Sequence, residues 1–261
     1  PHTDIKFGFY TILLSECKCE AYAYGHQCCD FSDGTLVCLT PGESISMKGN
    51  NKEFPSKGWI LAFHPDLICG TPLGLNIHNY TFFSYCPEEA LHLSLREKQI
   101  ILEFLERIRQ ELERCIDRHS KKIISKYIEL LLDYCTRFYE RQFITRSEVN
   151  KKVFREFNYL LDNHFNVKVS LSTGVLSDEY CANLLHLSPA YFNDLLKYEI
   201  GKEFKEYIQF KRFEIAKGWL VNTDKTIGQI AQELGFSNSQ YFSRLFKKIT
   251  GCSPNEFRMP N

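Results

Sequence analysis

The last hundred residues of this chain match themselves when shifted by fifty positions. Tyr191-Phe192 meets Tyr241-Phe242, Leu195 meets Leu245, Leu196 meets Phe246, Lys197 meets Lys247, Gly201 meets Gly251, and Glu206-Tyr207 meets Glu256-Phe257. The same shift sets Cys181 and Leu184 upstream against Ala231 and Leu234. A unit written twice folds the same way twice, so this repeat constrains the fold more than any other feature of the sequence. Two copies fall short of the three or so that a solenoid needs to bury its faces, which argues against a helical array that binds protein.

In each copy a short helical segment, 178–185 or 227–234, runs into a break, His186-Leu187-Ser188-Pro189 or Gly235-Phe236-Ser237-Asn238. Gly235 takes the positive φ that ends a helix, Ser188 and Ser237 cap the next one, and Pro189 suits its first turn, where a missing N–H costs no bond. Helix, tight turn, helix is the helix-turn-helix shape, whose second helix enters the major groove of DNA. In the second copy Tyr241, Phe242, Leu245, Phe246 and Ile249 form the expected core face, and Ser239, Gln240, Ser243, Arg244 and Lys247 the outer face. Arg pairs bidentately with guanine and Gln with adenine, each pair discriminating by about 1–3 kcal/mol. Lys247, Lys248 and Arg258 suit phosphate, as do Lys197 and the cap residues Ser188 and Ser237. The first copy offers Ala190, Asn193 and Asp194. Asp194 stands where the second copy has Arg244; it repels phosphate and accepts from a donor such as cytosine N4. Residues 203–222 predict a helix of about 30 Å between the copies. Major-groove faces recur about every 34 Å, so this rod sets two reading heads on successive turns.

Upstream the texture changes. From Phe7 to Tyr85, aromatic and β-branched residues are punctuated by Gly34, Pro41-Gly42, Gly49-Asn50, Pro55, Gly58, Gly70 and Gly74, the pattern of short strands and tight turns in a small sandwich or barrel. The segments 35–39 and 59–63 read as buried strands. Between residues 93 and 143, Ile101, Leu105, Ile108, Leu112 and Cys115 recur at helical steps, followed by Ile124, Tyr127, Ile128, Leu131, Leu132, Cys135 and Phe138. The two helices pack on the β unit, and Ile101, Leu105, Ile108 and Leu112 are candidates for a dimer seam; the same stripe also serves as intramolecular core. A polar stretch, 145–150, reads as the exposed linker between domains, and Ser170-Leu171-Ser172-Thr173-Gly174 as a break within the helical part.

Composition narrows the class. Hydrophobic residues at 44% and charged residues at 25% exclude a disordered chain. No stretch approaches the roughly 20 apolar residues of a membrane-spanning helix. Thirty-two basic residues balance thirty-two acidic ones, but residues 151–261 hold 15 basic against 12 acidic and residues 1–100 hold 7 against 11. A mild basic bias in the C-terminal part permits nucleic-acid contact. Eleven cysteines, an odd number in a long chain with no secretory leader before Pro1, read as reduced thiols in a cytoplasmic protein.

The run from Ile227 through Ala231-Gln232-Glu233-Leu234-Gly235-Phe236 and Tyr241-Phe242-Ser243-Arg244-Leu245-Phe246-Lys247-Lys248, with Gly251-Cys252-Ser253-Pro254-Asn255-Glu256-Phe257-Arg258 after it, closely resembles the signature of AraC-family bacterial transcription regulators. Leu187-Ser188-Pro189-Ala190-Tyr191-Phe192 with Gly201-Lys202 resembles the first helix-turn-helix of that family. The resemblance covers residues 150–258 and implies an all-α domain that binds double-stranded promoter DNA through two helix-turn-helix units joined by a long linker helix. It places the base-reading positions on Ala190, Asn193 and Asp194, then on Ser239, Gln240, Ser243 and Arg244; the acidic Asp194 departs from the basic residue common there. The family also carries an N-terminal cupin-like β-barrel with two trailing helices that senses a small molecule and dimerises. Asp33-Gly34-Thr35 through Pro41-Gly42 loosely resembles a strand of such barrels. The expected organisation is thus α+β and two-domain: a cupin-like effector barrel over 1–92, a dimerising helical pair over 93–146, and the DNA-binding domain over 150–261. Its partners are DNA, a second copy of the chain, an effector and the transcription machinery.

Other chemistry is set against this reading. His26, His64 and His78 are isolated and no His-x-His pair occurs, so a cupin metalloenzyme lacks its ligands; no catalytic residue, metal or cofactor is expected. Cys17-Lys18-Cys19 with Cys28-Cys29 supports an alternative regulator that senses metal or redox state, although the spacing is unlike a zinc knuckle. An enzymatic or ligand-binding barrel with an attached interaction module is the remaining alternative. Tyr22, Tyr24, Phe31, Trp59 and Phe63 are the candidate lining of an effector pocket, or equally a packed aromatic core. His64-Pro65-Asp66 reads as a turn.

Overall fold

The computed structural model describes residues 5–6, 8–16, 25–45, 57–166 and 176–259. They fall into two compact units, Pro1–Asn150 with Leu187–Asp194, and Lys151–His186 with Leu195–Asn261.

In the first unit β1 (Ile5–Lys6) pairs with β4 (Ser44–Ile45), and an antiparallel sheet has the order β5-β2-β3-β6, from β2 (Tyr10–Ser15), β3 (Gly34–Leu39), β5 (Gly58–Phe63) and β6 (Leu91–Leu93). Leu14 lies opposite Leu36 and Trp59, and Leu13 opposite Val37 and Ile60. Side chains alternate between faces along a strand. One face therefore holds Ile12, Leu14, Leu36, Cys38, Leu91 and Leu93, and the other Leu13, Val37 and Leu39, which cluster with Ala90. Both faces of β2 and β3 are buried, which is why these strands read as unbroken apolar runs. Among the described residues the sheet is open, with β5 and β6 at its edges, where a closed cupin-like barrel was expected.

Residues 64–90 hold no strand, although the pattern of short strands and tight turns was read as far as Tyr85. They form α1 (Pro65–Ile68), α2 (Pro72–Asn76) and three 3₁₀ turns. Pro65, Pro72 and Pro87 each open a helical turn, and the side chains of His64 and Thr71 accept the capping amides of Asp66 and Gly74. Prolines that punctuate strands in a sequence pattern serve equally well at the first position of a helix, and here the caps decide for the helix. Phe82 and Phe83 are buried in one of these turns.

Helix α3 (Leu95–Leu112) starts in a capping box of Ser94 and Glu97. Its Ile101, Leu105 and Ile108 are buried within the protomer, so three of the four residues expected at a dimer seam belong to the interior; Leu112 is 55% exposed. Cys115, expected on the same stripe, lies beyond the end of α3 and is exposed. Helix α4 (Ser120–Thr145) buries Ile124, Ile128, Leu131, Leu132, Cys135 and Phe138 as its spacing predicts. The polar stretch 145–150 is no exposed linker. The Arg146 guanidinium donates to both Asp30 oxygens at 2.9 and 2.6 Å, and the Asn150 amide donates to the Phe143 carbonyl at 3.0 Å. Polar side chains that satisfy buried partners resemble a solvated loop in sequence alone.

After α5 (Ser147–Asn166) come α6 (Asp178–Leu184), α7 (Pro189–Ile200), α8 (Phe204–Asn222), α9 (Ile227–Glu233), α10 (Ser239–Thr250) and α11 (Pro254–Arg258). The core of the second unit gathers Phe213, Ala216 and Leu220 of α8 with Ile230, Ala231 and Leu234, Phe242 and Phe246, and Phe165. The break expected at 170–174 lies outside the described residues. Among the described residues no helix is long and apolar enough to cross a membrane.

Candidate nucleic-acid interface

The second helix-turn-helix is built by its caps. Thr226 and Gln229 close a capping box on α9, which ends where Gly235 takes φ 75° and its amide and that of Phe236 return to Gln232 and Ala231. Asn238 then caps α10, its side chain accepting from the Tyr241 amide at 2.6 Å, so the cap is Asn238 where Ser237 was expected. Phe242 and Phe246 are fully buried and Leu245 packs beside them, orienting α10. The opposite stripe, Ser239, Gln240, Arg244, Lys247 and Lys248, is exposed, and Ser243 is half-buried with its hydroxyl donating to the Ser239 carbonyl at 2.8 Å. Tyr241 and Ile249, expected in the core, are 42% and 51% exposed; they flank the Phe242–Phe246 stripe instead of joining it. Arg244 lies over the Tyr241 ring at 5.8 Å. Lys247 and Lys248 occupy the last turn, where the helix dipole favours cations.

Arg258, expected on phosphate, turns inward: its guanidinium donates to the Leu220 carbonyl at 3.2 Å and to that of Lys225. It ties α11 to the end of α8. Ser237 is exposed beside α10.

The two copies coincide only in part at a shift of fifty. Helices α7 and α10, each the second of its helix-turn-helix, and the caps Glu203 and Ser253 of α8 and α11, keep that shift. Helices α6 and α9, with caps Ser177 and Thr226, are forty-nine apart, so Cys181-Ala182 correspond to Ile230-Ala231 and the second turn is one residue longer. In the first turn His186, at φ 57°, takes the left-handed position that glycine fills in the second.

Helix α7 has a different environment. Ser188 caps α7, its hydroxyl accepting from the Tyr191 amide at 3.2 Å. The residue is buried, and its own amide and hydroxyl donate to the Glu89 carboxylate at 2.6 and 2.5 Å, so it has no open path to phosphate. Burial raises the Glu89 carboxyl above its ordinary range against these bonds and a third from the Cys86 amide. Asp194 accepts from Thr81 and Tyr85 at 2.5 and 2.7 Å. Burial, with the Asp194 charge beside it, pushes the Tyr85 hydroxyl well up. Asn193 donates to the Pro189 carbonyl at 3.0 Å, Ala190 is half-buried, and Lys197 is exposed. Sequence reasoning missed Thr81, Tyr85 and Glu89; its one sign of them was an acidic residue where the second copy has Arg244.

Three of the five candidate pocket residues are among the described residues. Tyr22 and Tyr24 lie outside the described residues, Phe63 stacks on Tyr10 at 5.3 Å, Trp59 shares its strand face, and Phe31 lies under the Arg141 guanidinium at 4.7 Å. Cys17 and Cys19 are likewise outside; Cys28 and Cys29 are exposed, and among the described residues no three His, Cys, Asp or Glu side chains are grouped to hold a metal ion.

Residues 181–259 match the family model of a helix-turn-helix domain. Over 112 residues the chain is 33% identical to YtdP, an uncharacterised HTH-type transcriptional regulator of Bacillus subtilis, covering 43% of this chain and 14% of that one. It is 32% identical over 101 residues to the arabinose operon regulatory protein of Salmonella typhimurium, covering 39% and 32%. The chain thus spans about a seventh of the first relative and a third of the second. Among solved structures, the C-terminal domain of AraT, a response regulator from Geobacillus stearothermophilus, is similar at 32% identity over 41% of this chain and 83% of that one, with a TM-score of 0.35.

Proposed function

We propose that the chain is a sequence-specific DNA-binding transcription regulator of AraC type and not an enzyme, with the helix-turn-helix domain matched over residues 181–259 as its DNA-binding part. One observation carries this reading: α10 buries Phe242 and Phe246 completely while presenting Ser239, Gln240, Arg244, Lys247 and Lys248 on its free face. Base-reading groups sit in its first turns and cations in its last, the order in which a recognition helix meets base edges and then phosphate. Helix α8, at 19 residues and so about 28 Å, joins the two units of the repeat on the scale of one turn of duplex. A cupin-like effector module and a homodimer complete the reading; they rest on the family resemblance alone.

The test is selection of duplexes from a random pool by the full chain. Arg244→Ala is expected to weaken the selected duplex by about 5- to 150-fold and to relax preference at one position. Lys248→Ala should weaken all duplexes alike and lower the salt slope by about 0.9. Recovery of no sequence above random at moderate salt overturns the proposal.

A further inference from the structure

The repeat supplies its own control. Ser188, Tyr191 and Asp194 form one stripe of α7, and at a shift of fifty their counterparts on α10 are Asn238, Tyr241 and Arg244. All three counterparts are exposed. In the first copy Tyr191 is 4% exposed against 42% for Tyr241. Its ring packs on Tyr85 at 5.1 Å and Phe143 at 5.3 Å, and burial raises its hydroxyl pKa. The packing continues through Tyr139, Phe82, Phe83 and Tyr10 at 5.2 to 5.6 Å, so Tyr191 is seated in the core of the first unit. Glu89 meets the amide of Ser188 at the N-terminus of α7, where a docked helix-turn-helix receives a DNA phosphate.

We propose that residues 81–89 form an autoinhibitory latch on the first reading helix, with Glu89 as a protein surrogate for the phosphate and Asp194 as the acceptor that Thr81 and Tyr85 hold. Asp194 is acidic because its partners are these two hydroxyls and not a base edge. Two-headed DNA binding then requires the stripe to leave Thr81, Tyr85 and Glu89. The affinity measured for a two-site duplex is the intrinsic one reduced by the fraction of chains unlatched.

The inference rests on the DNA-binding reading and is tested on the full chain, with every DNA-facing residue kept, by Thr81→Val combined with Tyr85→Phe. Against the tightest duplex selected by the unmodified protein, the variant is expected to bind at least about fivefold more tightly. The amides of 188–194 should also exchange hydrogen faster in the absence of DNA. Selective binding with equal affinities, or unchanged exchange, overturns the latch; no sequence-selective binding by either form overturns the DNA-binding reading instead. A measurement on the unmodified chain guards against a variant that folds poorly: saturation with the selected duplex should speed exchange at 81–89, and protection there equal to that of the free chain overturns the latch.

Discussion

Arg244 and Arg258 carry the same charge fourteen residues apart and meet different fates. Arg244 stands free over Tyr241, whereas Arg258 spends its guanidinium on two backbone carbonyls. Arg258→Ala is therefore expected to cost about 1.5–3 kcal/mol of stability, read by chemical denaturation, and to leave the salt dependence of DNA binding unchanged. Asp30 and Arg146 make the strongest case for a buried pair that sequence hides, since nothing in either neighbourhood names the other. Burial works against ionisation of Asp30, but the bonds and charge of Arg146 outweigh it and hold its carboxyl below the usual range. A lowered folded value means stability that is present above about pH 3.9 and lost as pH falls through the folded value. Glu89 has the opposite sign: with a raised folded value, its contribution falls as pH climbs from about 4.3. Asp30→Asn should thus destabilise at neutral pH and flatten the acid limb of a plot of denaturation midpoint against pH; an acid limb of unchanged slope would refute the assignment.

At the scale of elements, what was legible had a local cause. Helices α3, α4 and α10 follow the apolar spacing of the sequence, while α9 and α11 open on capping boxes, written within four residues, that the spacing did not use. Asn238→Ala is expected to cost about 1 kcal/mol through α10, and Gly235→Ala about 1–2 kcal/mol because an alanine there must hold φ 75°. Thermal unfolding of the full chain checks both, and a neutral Gly235→Ala would mean that the turn relaxes. The failures also have physical reasons. The single-residue difference between the two turns was invisible to one fixed shift, because Cys181 and Ala182 are both small and apolar and either matches Ala231, as Leu184 and Leu185 both match Leu234. Residues 64–90 have the glycines and prolines of a strand-and-turn region, yet three prolines sit at first helical positions. The stripe of α3 gave its spacing but not its partner, which is this chain's own interior at Ile101, Leu105 and Ile108.

At the scale of the whole molecule, two reading units predict a nuclease footprint over two consecutive major-groove faces of the selected duplex. Arg244→Ala is expected to shorten it at one end by about one turn, or 10 base pairs. A footprint that weakens evenly along its length would count against two separable heads. The repeat, the caps and the amphipathic stripes were enough by themselves to determine a pair of helix-turn-helix units and the outward face of α10, because caps and stripes depend on residues within a turn or two of one another and the repeat only sets two such local patterns side by side. Tertiary structure alone decided that α10 keeps a free face while the matching stripe of α7, Ser188, Tyr191 and Asp194, is buried or half-buried. Glu89 and Ser188 are ninety-nine positions apart, and Thr81 and Asp194 one hundred and thirteen. Contacts at such separations arise from packing whole elements together, so no periodicity or spacing in the chain announces them.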